Sequence, residues 1–231
     1  MNNDSKRLEA LIGKDQVLNL RKKTVLILGL GGVGGYVVES LARSFIGTLI
    51  LVDYDTVDIT NLNRQIIALH SNIGKKKTTC FKERIKDINS ICNIVTIDKF
   101  INEENYLELF KYNIDYFVDA CDCIKTKKLV IKYCLENNIP IISSMGTGNK
   151  MDPSKLEITT IENTINDPVA RIIRKFKKDE LKNYKLKVLS STELPHKKED
   201  VKTVASNSFV PSSAGLLITS YIIKEFTSNS K

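Results

Sequence analysis

A glycine-rich run and six scattered polar residues are the features of this sequence that could do chemistry. Gly29, Gly31 and Gly34 have the Gly-x-Gly-x-x-Gly spacing directly after a short apolar run, with Gly32 inside the same loop. Such a loop presents backbone N–H groups and a helix N-terminus to a phosphate. It does not identify the nucleotide, because dinucleotide-binding dehydrogenases use the same loop. The polar residues that can discriminate are Asp53, Asn61, Arg64, Gln65, Lys77 and Asp122.

Two carboxylates follow the predicted fourth strand, which lies next to the phosphate crevice in a doubly wound sheet. Asp119 and Asp122 would repel a bare pyrophosphate at that position. One carboxylate that holds Mg²⁺ against a triphosphate removes the conflict. The sequence therefore favours ATP with Mg²⁺ over NAD, with one of the two aspartates as the metal ligand. A structural role is open to the other, such as Asp119 as a helix N-cap.

The remaining polar residues suit the other parts of a nucleotide. Asp53, at the tip of the second predicted strand, is placed to accept hydrogen bonds from ribose hydroxyls, and Asp55 follows it closely. Arg64 and Lys77 would neutralise the charge that builds up on the α-phosphate and the departing pyrophosphate. Each basic residue alone would suit a surface role, but this many polar positions together favour one nucleotide site.

The elements that must position these residues alternate between strands and helices. Apolar, β-branched runs predict strands over 24–28, 48–52, 93–97, 114–118 and 140–143. Helices are predicted over 33–45, 75–89 and 125–137. This alternation implies right-handed crossovers and a parallel, doubly wound sheet.

The pattern changes after Pro153. We predict an antiparallel extension over 156–161, an amphipathic helix over 167–182, a strand over 186–190, a mobile crossover loop over 191–202 and a last helix over 212–226. The apolar side of that helix suits core or a dimer surface and comprises Leu216, Leu217, Ile218, Tyr221 and Ile222. The expected fold class is α/β, a Rossmann-like doubly wound, mostly parallel sheet with an antiparallel C-terminal extension, in one domain over 1–231.

Composition excludes several classes of protein. The chain has 231 residues and 42% hydrophobic content, enough for one large α/β core. No apolar run approaches about 18 residues and no secretory signal is present, so we expect a cytoplasmic protein without membrane insertion. The five cysteines form no Cys-x-x-Cys pair, which disfavours a zinc ribbon, and none follows Cys134.

The net charge of +8 is unevenly distributed. Residues 171–187 hold eight basic side chains against two acidic ones. Such a stripe suits a polyanion such as RNA, and a solvated helix face explains it equally well. The candidate nucleic-acid contacts are Arg171, Arg174, Lys175, Lys177 and Lys178.

Together these motifs resemble the ThiF/MoeB/HesA superfamily, the bacterial relatives of ubiquitin-activating enzymes, from Arg7 through the last helix. Its members adenylate a carboxylate with ATP. The resemblance implies that Arg7, Arg64, Lys77 and Asp122 act on the α-phosphate and its Mg²⁺. It further implies a homodimer in which Arg7 reaches into the other subunit's site. It leaves open a monovalent cation near the 146–149 loop and a sulfur-transfer (cysteine desulfurase) partner.

Within the superfamily the chain looks most like the tRNA threonylcarbamoyladenosine dehydratases. The supporting stretches are the N-terminal Arg-x-x-x-Leu-Ile-Gly and residues 119–122, 146–153 and 167–171. The resemblance implies that ATP activates the threonyl carboxylate of the modified adenosine at tRNA position 37. The carbamoyl nitrogen then attacks, expels AMP and closes a ring. An internal nucleophile needs no enzyme thiol, which agrees with the absence of cysteine after Cys134.

Three other functions stay open. The first is adenylation of the C-terminal glycine of a ubiquitin-like sulfur-carrier protein in thiamin or molybdopterin biosynthesis. The second is an NAD-dependent oxidoreductase, which would bind its cofactor without Mg²⁺. The third is a non-catalytic nucleotide-binding scaffold, which would bind ATP and release no AMP.

Overall fold

A computed structural model describes residues 3–196 and 203–228 of the chain, and a seven-stranded sheet lies at its centre. The strands are β1 (Thr24–Leu28), β2 (Thr48–Val52), β3 (Asn93–Ile97), β4 (Tyr116–Asp119), β5 (Ile141–Ser144), β6 (Leu156–Thr160) and β7 (Lys187–Ser191). Their order in the sheet is β3-β2-β1-β4-β5-β7-β6. β6 runs antiparallel to β7, and the other neighbouring pairs are parallel.

Helices cover both faces of the sheet. They are α1 (Lys6–Ile12), α2 (Lys14–Leu20), α3 (Gly34–Arg43), α4 (Lys77–Ile88), α5 (Ile124–Glu136), α6 (Pro168–Glu180) and α7 (Phe209–Ser228). None of the helices in the described part of the chain combines the length and apolar character needed to cross a bilayer.

Strand alternation divides the core into two layers. Val25 and Ile27 of β1 pack with α3, α4 and α7 on one face, whereas Leu26 and Leu28 pack with α5 and α6 on the other. Successive side chains of a strand point to opposite faces, so a strand buried on both sides reads as a continuous apolar run. The predicted α/β fold class, with its mostly parallel sheet and antiparallel C-terminal pair, is confirmed.

Several predicted bounds are wrong by a few residues. β1, β2 and β3 have the predicted bounds, but β4 begins later and includes Asp119, which pairs in register with Leu28 of β1. α6 ends at Glu180 instead of residue 182 because the chain turns inward at the buried Leu181. The basic stripe over 171–187 therefore continues past the helix into a turn and the start of β7.

The ends of the chain differ most from the prediction. The sequence pattern did not predict α1 or α2, because both helices are short and charged residues interrupt their apolar positions. Ser191 of the predicted crossover loop belongs to β7. The loop continues to His196, and residues 197–202 lie outside the described part of the chain. On α7, Ile218 and Ile222 are buried, while Leu216 and Leu217 are exposed.

Candidate active site

A cleft of about 530 Å³ opens at the carboxyl ends of β1, β2, β4 and β5. This is the point where the strand order reverses around β1, the usual ligand crevice of an open α/β sheet. The structure brings all six predicted polar residues and three of the loop glycines to this one cleft. Those predicted residues that line it are Gly29, Gly31, Gly32, Asp53, Asp55, Asn61, Arg64, Gln65, Lys77 and Asp122.

The glycine loop follows β1 and leads into α3, as its spacing predicts. Gly29 has a φ of +90°, which an L side chain rarely adopts. Gly34 does not line the cleft. A Cβ there would lie 1.8 Å from the carbonyl oxygen of Gly29, so this glycine permits close packing of helix on loop. No side chain caps α3 in the part of the chain that is described, and the amides of Gly35 and Tyr36 in its first turn donate to carbonyl oxygens of the glycine loop.

Asp53 holds the glycine loop in shape. Its Oδ2 accepts a hydrogen bond of 2.6 Å from the amide of Leu30, and its Oδ1 accepts one of 2.8 Å from the amide of Asp55. The residue is nearly buried and still lines the cleft. A carboxylate has about four lone-pair sites, so further ones can accept from ribose hydroxyls.

Two basic side chains face the centre of the cleft. Lys77 is buried, and its Nζ lies 2.8 Å from Oδ2 of Asp55. Arg64 donates from Nη1 to the carbonyl oxygen of Thr60 and to Oδ1 of Asn63, at 2.9 and 3.0 Å. An ammonium has three N–H donors and a guanidinium has five, so both groups keep donors for a phosphate. Their ion pair and hydrogen bonds hold them in place before a ligand arrives.

Two amides complete this wall. Asn61 is nearly buried and accepts from the amide of Asp58 through Oδ1 at 3.1 Å, which leaves it fixed in a capping box. Gln65 is also nearly buried, and its Oε1 has no hydrogen-bond partner among the described residues. A buried amide oxygen without a partner costs free energy. A hydroxyl or a metal-bound water of a ligand would satisfy it.

The two aspartates after β4 have different environments. Asp122 is exposed and lines the cleft, and its role toward a ligand remains a prediction. The possible N-cap role of Asp119 is wrong, because α5 has Cys123 at its N-cap position and Asp119 is fully buried under the cleft. Among the described residues, no group of three or more His, Cys, Asp and Glu side chains could hold a metal ion. A Mg²⁺ beside Asp122 would therefore need oxygens from the nucleotide and water, which is its common mode of binding.

Asp119 is instead half of a buried ion pair that the sequence analysis missed. Its Oδ2 lies 2.7 Å from Nζ of Lys127, which also donates to Oγ of Ser143 and to the carbonyl oxygen of Ser144. Burial is the largest single effect on the pKa of Lys127 and would lower it, but the charge and hydrogen bond of Asp119, together with Cys121 and Asp122, raise the pKa above its ordinary value. The pair joins the ends of β4 and β5 beneath the cleft.

A signal for Lys127 was present in the sequence. The buried residues Val130, Ile131 and Cys134 of α5 lie three, four and seven positions after it, which is the spacing of one helix face. A lysine on an apolar helix face must find a buried partner, and the nearby Asp119 is the obvious one.

An aromatic pair closes the β3 side of the cleft and was also missed. The rings of Tyr54 and Phe100 meet edge to face with centroids 5.0 Å apart, and about half of each side chain is exposed. Both line the cleft, next to Ile101. Exposed rings at this end provide a surface on which a nucleobase can stack. No sequence pattern connects two aromatic residues that only the sheet brings together.

The thiols at the cleft differ in expected reactivity. Burial, together with Asp119, raises the pKa of Cys121 well above the ordinary value, whereas hydrogen bonding from Thr126 lowers the pKa of Cys123. The thiolate is the reactive form, so iodoacetamide at neutral pH should alkylate Cys123 about tenfold faster than Cys121. ATP should slow the reaction, because Cys123 lines the cleft. Peptide mass spectrometry with time would measure both effects, and faster labelling of Cys121 would contradict this picture.

Arg7 is exposed on α1 and does not line the cleft of its own chain. Its predicted reach into a second subunit remains a prediction. The 146–149 loop, the predicted neighbourhood of a monovalent cation, contributes Gly146, Thr147 and Gly148 to the cleft wall.

The predicted basic helix begins at the edge of the cleft. Asp167, its N-cap, accepts from the amide of Gly146 at 2.8 Å and from the amide of Ala170 at 2.9 Å. Of the five candidate nucleic-acid contacts, Arg174 donates to the carbonyl oxygen of Thr164, and Lys177 pairs with Glu162 at 2.6 Å. The other three are exposed, namely Arg171, Lys175 and Lys178.

Comparison with known proteins gives a consistent result. Residues 5–215 match the ThiF family. The tRNA threonylcarbamoyladenosine dehydratase of Bacillus subtilis is 41% identical over an alignment of 236 residues, covering 95% of this chain and 92% of that protein. The crystal structure of E. coli tRNA N6-threonylcarbamoyladenosine dehydratase in complex with ATP has a TM-score of 0.91 at 29% identity. The match covers 97% of this chain and 94% of that one.

A structure of the same E. coli enzyme in complex with AMP also gives a TM-score of 0.91. An adenylyltransferase and sulfurtransferase of Dictyostelium discoideum is 39% identical, but the match covers 57% of this chain and 31% of that protein. The similarity to the Bacillus subtilis protein and to the E. coli structures thus extends over nearly all of both chains.

Proposed function

The chain belongs to the ThiF family, and on that premise we propose that it is an ATP-dependent tRNA threonylcarbamoyladenosine dehydratase. The observation that carries the proposal is the convergence of Asp53, Arg64, Lys77 and Asp122 on one cleft at the reversal of the strand order. The similarity to the Bacillus subtilis and E. coli dehydratases along almost their whole length supports the tRNA substrate.

The reaction needs positioning and charge stabilisation more than covalent catalysis. One oxygen of the threonyl carboxylate attacks the α-phosphorus of ATP, and pyrophosphate leaves. The carbamoyl nitrogen then attacks the acyl carbon and loses its proton, and AMP leaves with the bridging oxygen. The ring closes with net loss of water. No enzyme nucleophile takes part, in keeping with a C-terminal region that has no cysteine after Cys134.

We assign the residues of the cleft as follows. Arg64 and Lys77 stabilise the charge on the α-phosphate, and Arg7 of a second subunit joins them in a homodimer. Asp53 and Asp55 hold the ribose side, and Asn61 and Gln65 bind phosphate oxygens or their waters. Gly29, Gly31, Gly32 and Gly34 allow the loop and α3 to approach the phosphates.

Asp122 is the residue we assign to Mg²⁺, because it is the exposed carboxylate after β4. When bound, the ion supplies positive charge to the phosphate oxygens. We further propose a single adenylating domain over 1–231 and a cytoplasmic location. The proposed function is compatible with a monovalent cation near the 146–149 loop and with a cysteine desulfurase partner, and it requires neither.

We propose that the tRNA backbone lies along the exposed side of α6. Arg171, Lys175 and Lys178 are spaced three or four residues apart and lie on one ridge, which starts beside Gly146 at the cleft. Three or four helical residues span about 4.5 to 6 Å, so the three cations form a short row along which a phosphate backbone can lie. Arg174 and Lys177 are not on this ridge. They attach α6 to the preceding segment through a hydrogen bond to Thr164 and an ion pair with Glu162.

The double substitution Lys175→Ala/Lys178→Ala is expected to weaken tRNA binding and flatten its salt dependence. The slope of log K against log salt concentration should fall by about 1.5 to 2, since each lost phosphate contact removes about 0.9. Filter binding over a range of salt concentrations measures it. The matched control is Lys82→Ala/Lys86→Ala, two exposed lysines on α4. Equal slopes for the two double variants would mean that the ridge is only a solvated face.

The proposed function itself is tested by substrate choice. The protein is incubated with ATP and either threonylcarbamoylated tRNA or a ubiquitin-like sulfur-carrier protein, and AMP and the cyclised nucleoside are measured by mass spectrometry. We expect AMP and cyclised nucleoside with the tRNA. AMP release driven by the carrier alone would support the sulfur-transfer alternative. NAD binding without ATP use would support an oxidoreductase, and ATP binding without AMP in any mixture would support a scaffold.

A further inference from the structure

A short segment before α7 crosses the mouth of the cleft. We call residues 203–207 the strap. Val204 and Ser206 of the strap line the cleft together with the loop that follows β5. Hydrogen bonds attach the strap to the cleft wall on two sides, the β5 rim and the opposite rim. On each rim the attachment is formed by one asparagine, and the family motifs assign a role to neither.

Asn149 anchors the strap on the β5 rim. The backbone N–H of Asn149 donates to the carbonyl oxygen of Ala205 at 2.7 Å, and its side-chain Oδ1 accepts from the backbone N–H of Ala205 at 2.9 Å. The residue has a φ of +57°, a conformation that asparagine tolerates better than most residues. The adjacent Gly148 permits the close approach, since a Cβ there would lie 2.3 Å from Cγ1 of Val204.

Asn63 anchors the strap on the opposite rim. Its Nδ2 donates to the carbonyl oxygen of Ser206 at 3.0 Å, and it directly precedes Arg64 of the phosphate wall. The end of the strap is fixed by Asn207, whose Nδ2 donates to the carbonyl oxygen of Lys150 at 2.7 Å. Oδ1 of Asn207 accepts from the first amides of α7. Hydrogen bonds to both rims of the cleft and to the first turn of α7 therefore fix the position of the strap.

The strap covers one particular end of the cleft. Asp53 and the Tyr54–Phe100 pair follow β2 and β3, so the ribose and base belong at that end. β5 lies on the other side of β1 and β4, and its following loop meets the strap. The group attached to the α-phosphate on the side away from the ribose, the activated acyl group, must therefore lie beneath the strap.

This placement matters because the acyl-adenylate has two competing reactions. Attack by the carbamoyl nitrogen closes the ring and expels AMP. Attack by water forms a bond from the water oxygen to the acyl carbon and breaks the bond to the AMP oxygen. The original carboxylate and AMP then result, and the ATP is consumed without product. Closure of a site over a reactive intermediate suppresses such hydrolysis.

We propose that Asn149 and Asn63 are positioning residues that hold the strap over the acyl-adenylate, so that the internal nitrogen reacts in place of water. This inference rests on the proposed function and adds to it a determinant of product choice. A purely structural role would lower all activities together. A positioning role changes the ratio of AMP to cyclised nucleoside while the activation step continues.

The test measures that ratio with threonylcarbamoylated tRNA and ATP. Wild-type protein should give nearly equal amounts of AMP and cyclised nucleoside, with a small excess of AMP from hydrolysis. Asn149→Gly retains the positive φ and loses the Oδ1 bond. Asn63→Ala loses the bond to the other rim and, because it also removes an acceptor of Arg64, is expected to slow the activation step as well. Each variant is expected to raise the excess of AMP over cyclised nucleoside, which measures the ATP lost to hydrolysis, about fivefold above the wild-type excess, the factor that corresponds to one net hydrogen bond. Asn149→Asp retains the acceptor for the amide of Ala205 and should restore the wild-type ratio.

Two matched controls come from the same chain. Asn138→Gly changes another asparagine of positive φ, at +55°, and Asn137→Ala removes an exposed side-chain bond of 2.9 Å to Tyr133. Both should retain the wild-type ratio. An unchanged ratio in both strap variants, with or without a fall in rate, would overturn the proposal. Absence of AMP from wild-type protein with the modified tRNA would instead refute the proposed function, and the strap proposal with it.

Discussion

The substitution Asp122→Ala is expected to lower the rate of AMP formation by about 10²- to 10³-fold, the usual effect of removing one preorganised electrostatic group at a reacting phosphate or oxyanion. The reason is the position of this carboxylate, exposed in the cleft after β4, where we assign it to the metal that neutralises the phosphates. The free energy of unfolding should change by less than about 0.5 kcal/mol, because an exposed side chain contributes little to stability.

The measurement is tRNA-dependent release of AMP from labelled ATP, with unfolding by urea as the check on the fold. The matched control is Asp87→Ala, another exposed aspartate, on α4 and away from the cleft. The control should have wild-type activity. Wild-type activity in the Asp122 variant would remove this residue from the mechanism and with it our assignment of the metal.

The substitution Lys127→Ala should have the largest effect on stability. It leaves the fully buried carboxylate of Asp119 without its charged partner, 2.7 Å away in the native protein. Loss of one member of a buried ion pair destabilises a protein by about 3–5 kcal/mol. The pKa of Lys127 is raised from 10.5, so the ion pair's contribution is complete below that pH. It is lost only as the pH rises through the still higher value of the folded protein.

Unfolding by urea at pH 7 measures the effect. A double variant, Lys127→Met/Asp119→Leu, removes both charges and should recover much of the lost stability, because a packed apolar pair often replaces a buried ion pair without loss. The control is Lys132→Ala, whose partner Glu180 is exposed, and it should leave the free energy of unfolding nearly unchanged. Equal losses in Lys127→Ala and Lys132→Ala would show that the buried pair does not support the floor of the cleft.

The parts of the site that could be predicted are those that local sequence patterns encode. Apolar runs gave the first three strands their observed bounds, and the ends of parallel strands meet at one edge of a sheet. Asp53, Arg64 and Asp122 each follow a predicted strand, and Lys77 lies in the first turn of a predicted helix. Their convergence on one cleft thus follows from the topology.

The missed residues depend on contacts between distant segments. The sequence alone could not show that Asn149 would meet Ala205, or that Tyr54 would meet Phe100, because no periodicity links them. Asp119 was misjudged for a different reason. Its type suits an N-cap, but its strand carries it under the cleft to Lys127, and the buried partner determines its role.

If the threonyl carboxylate attacks the α-phosphate of ATP in this cleft, one carboxylate oxygen passes to AMP, and an isotope experiment detects that transfer. Threonylcarbamoylated tRNA labelled with ¹⁸O in the threonyl carboxylate is incubated with the protein and unlabelled ATP, and the AMP is analysed by mass spectrometry. We predict that AMP carries a single ¹⁸O atom from the carboxylate and appears together with the cyclised nucleoside. Cyclised nucleoside with unlabelled AMP, or with ADP as the nucleotide product, would contradict the account.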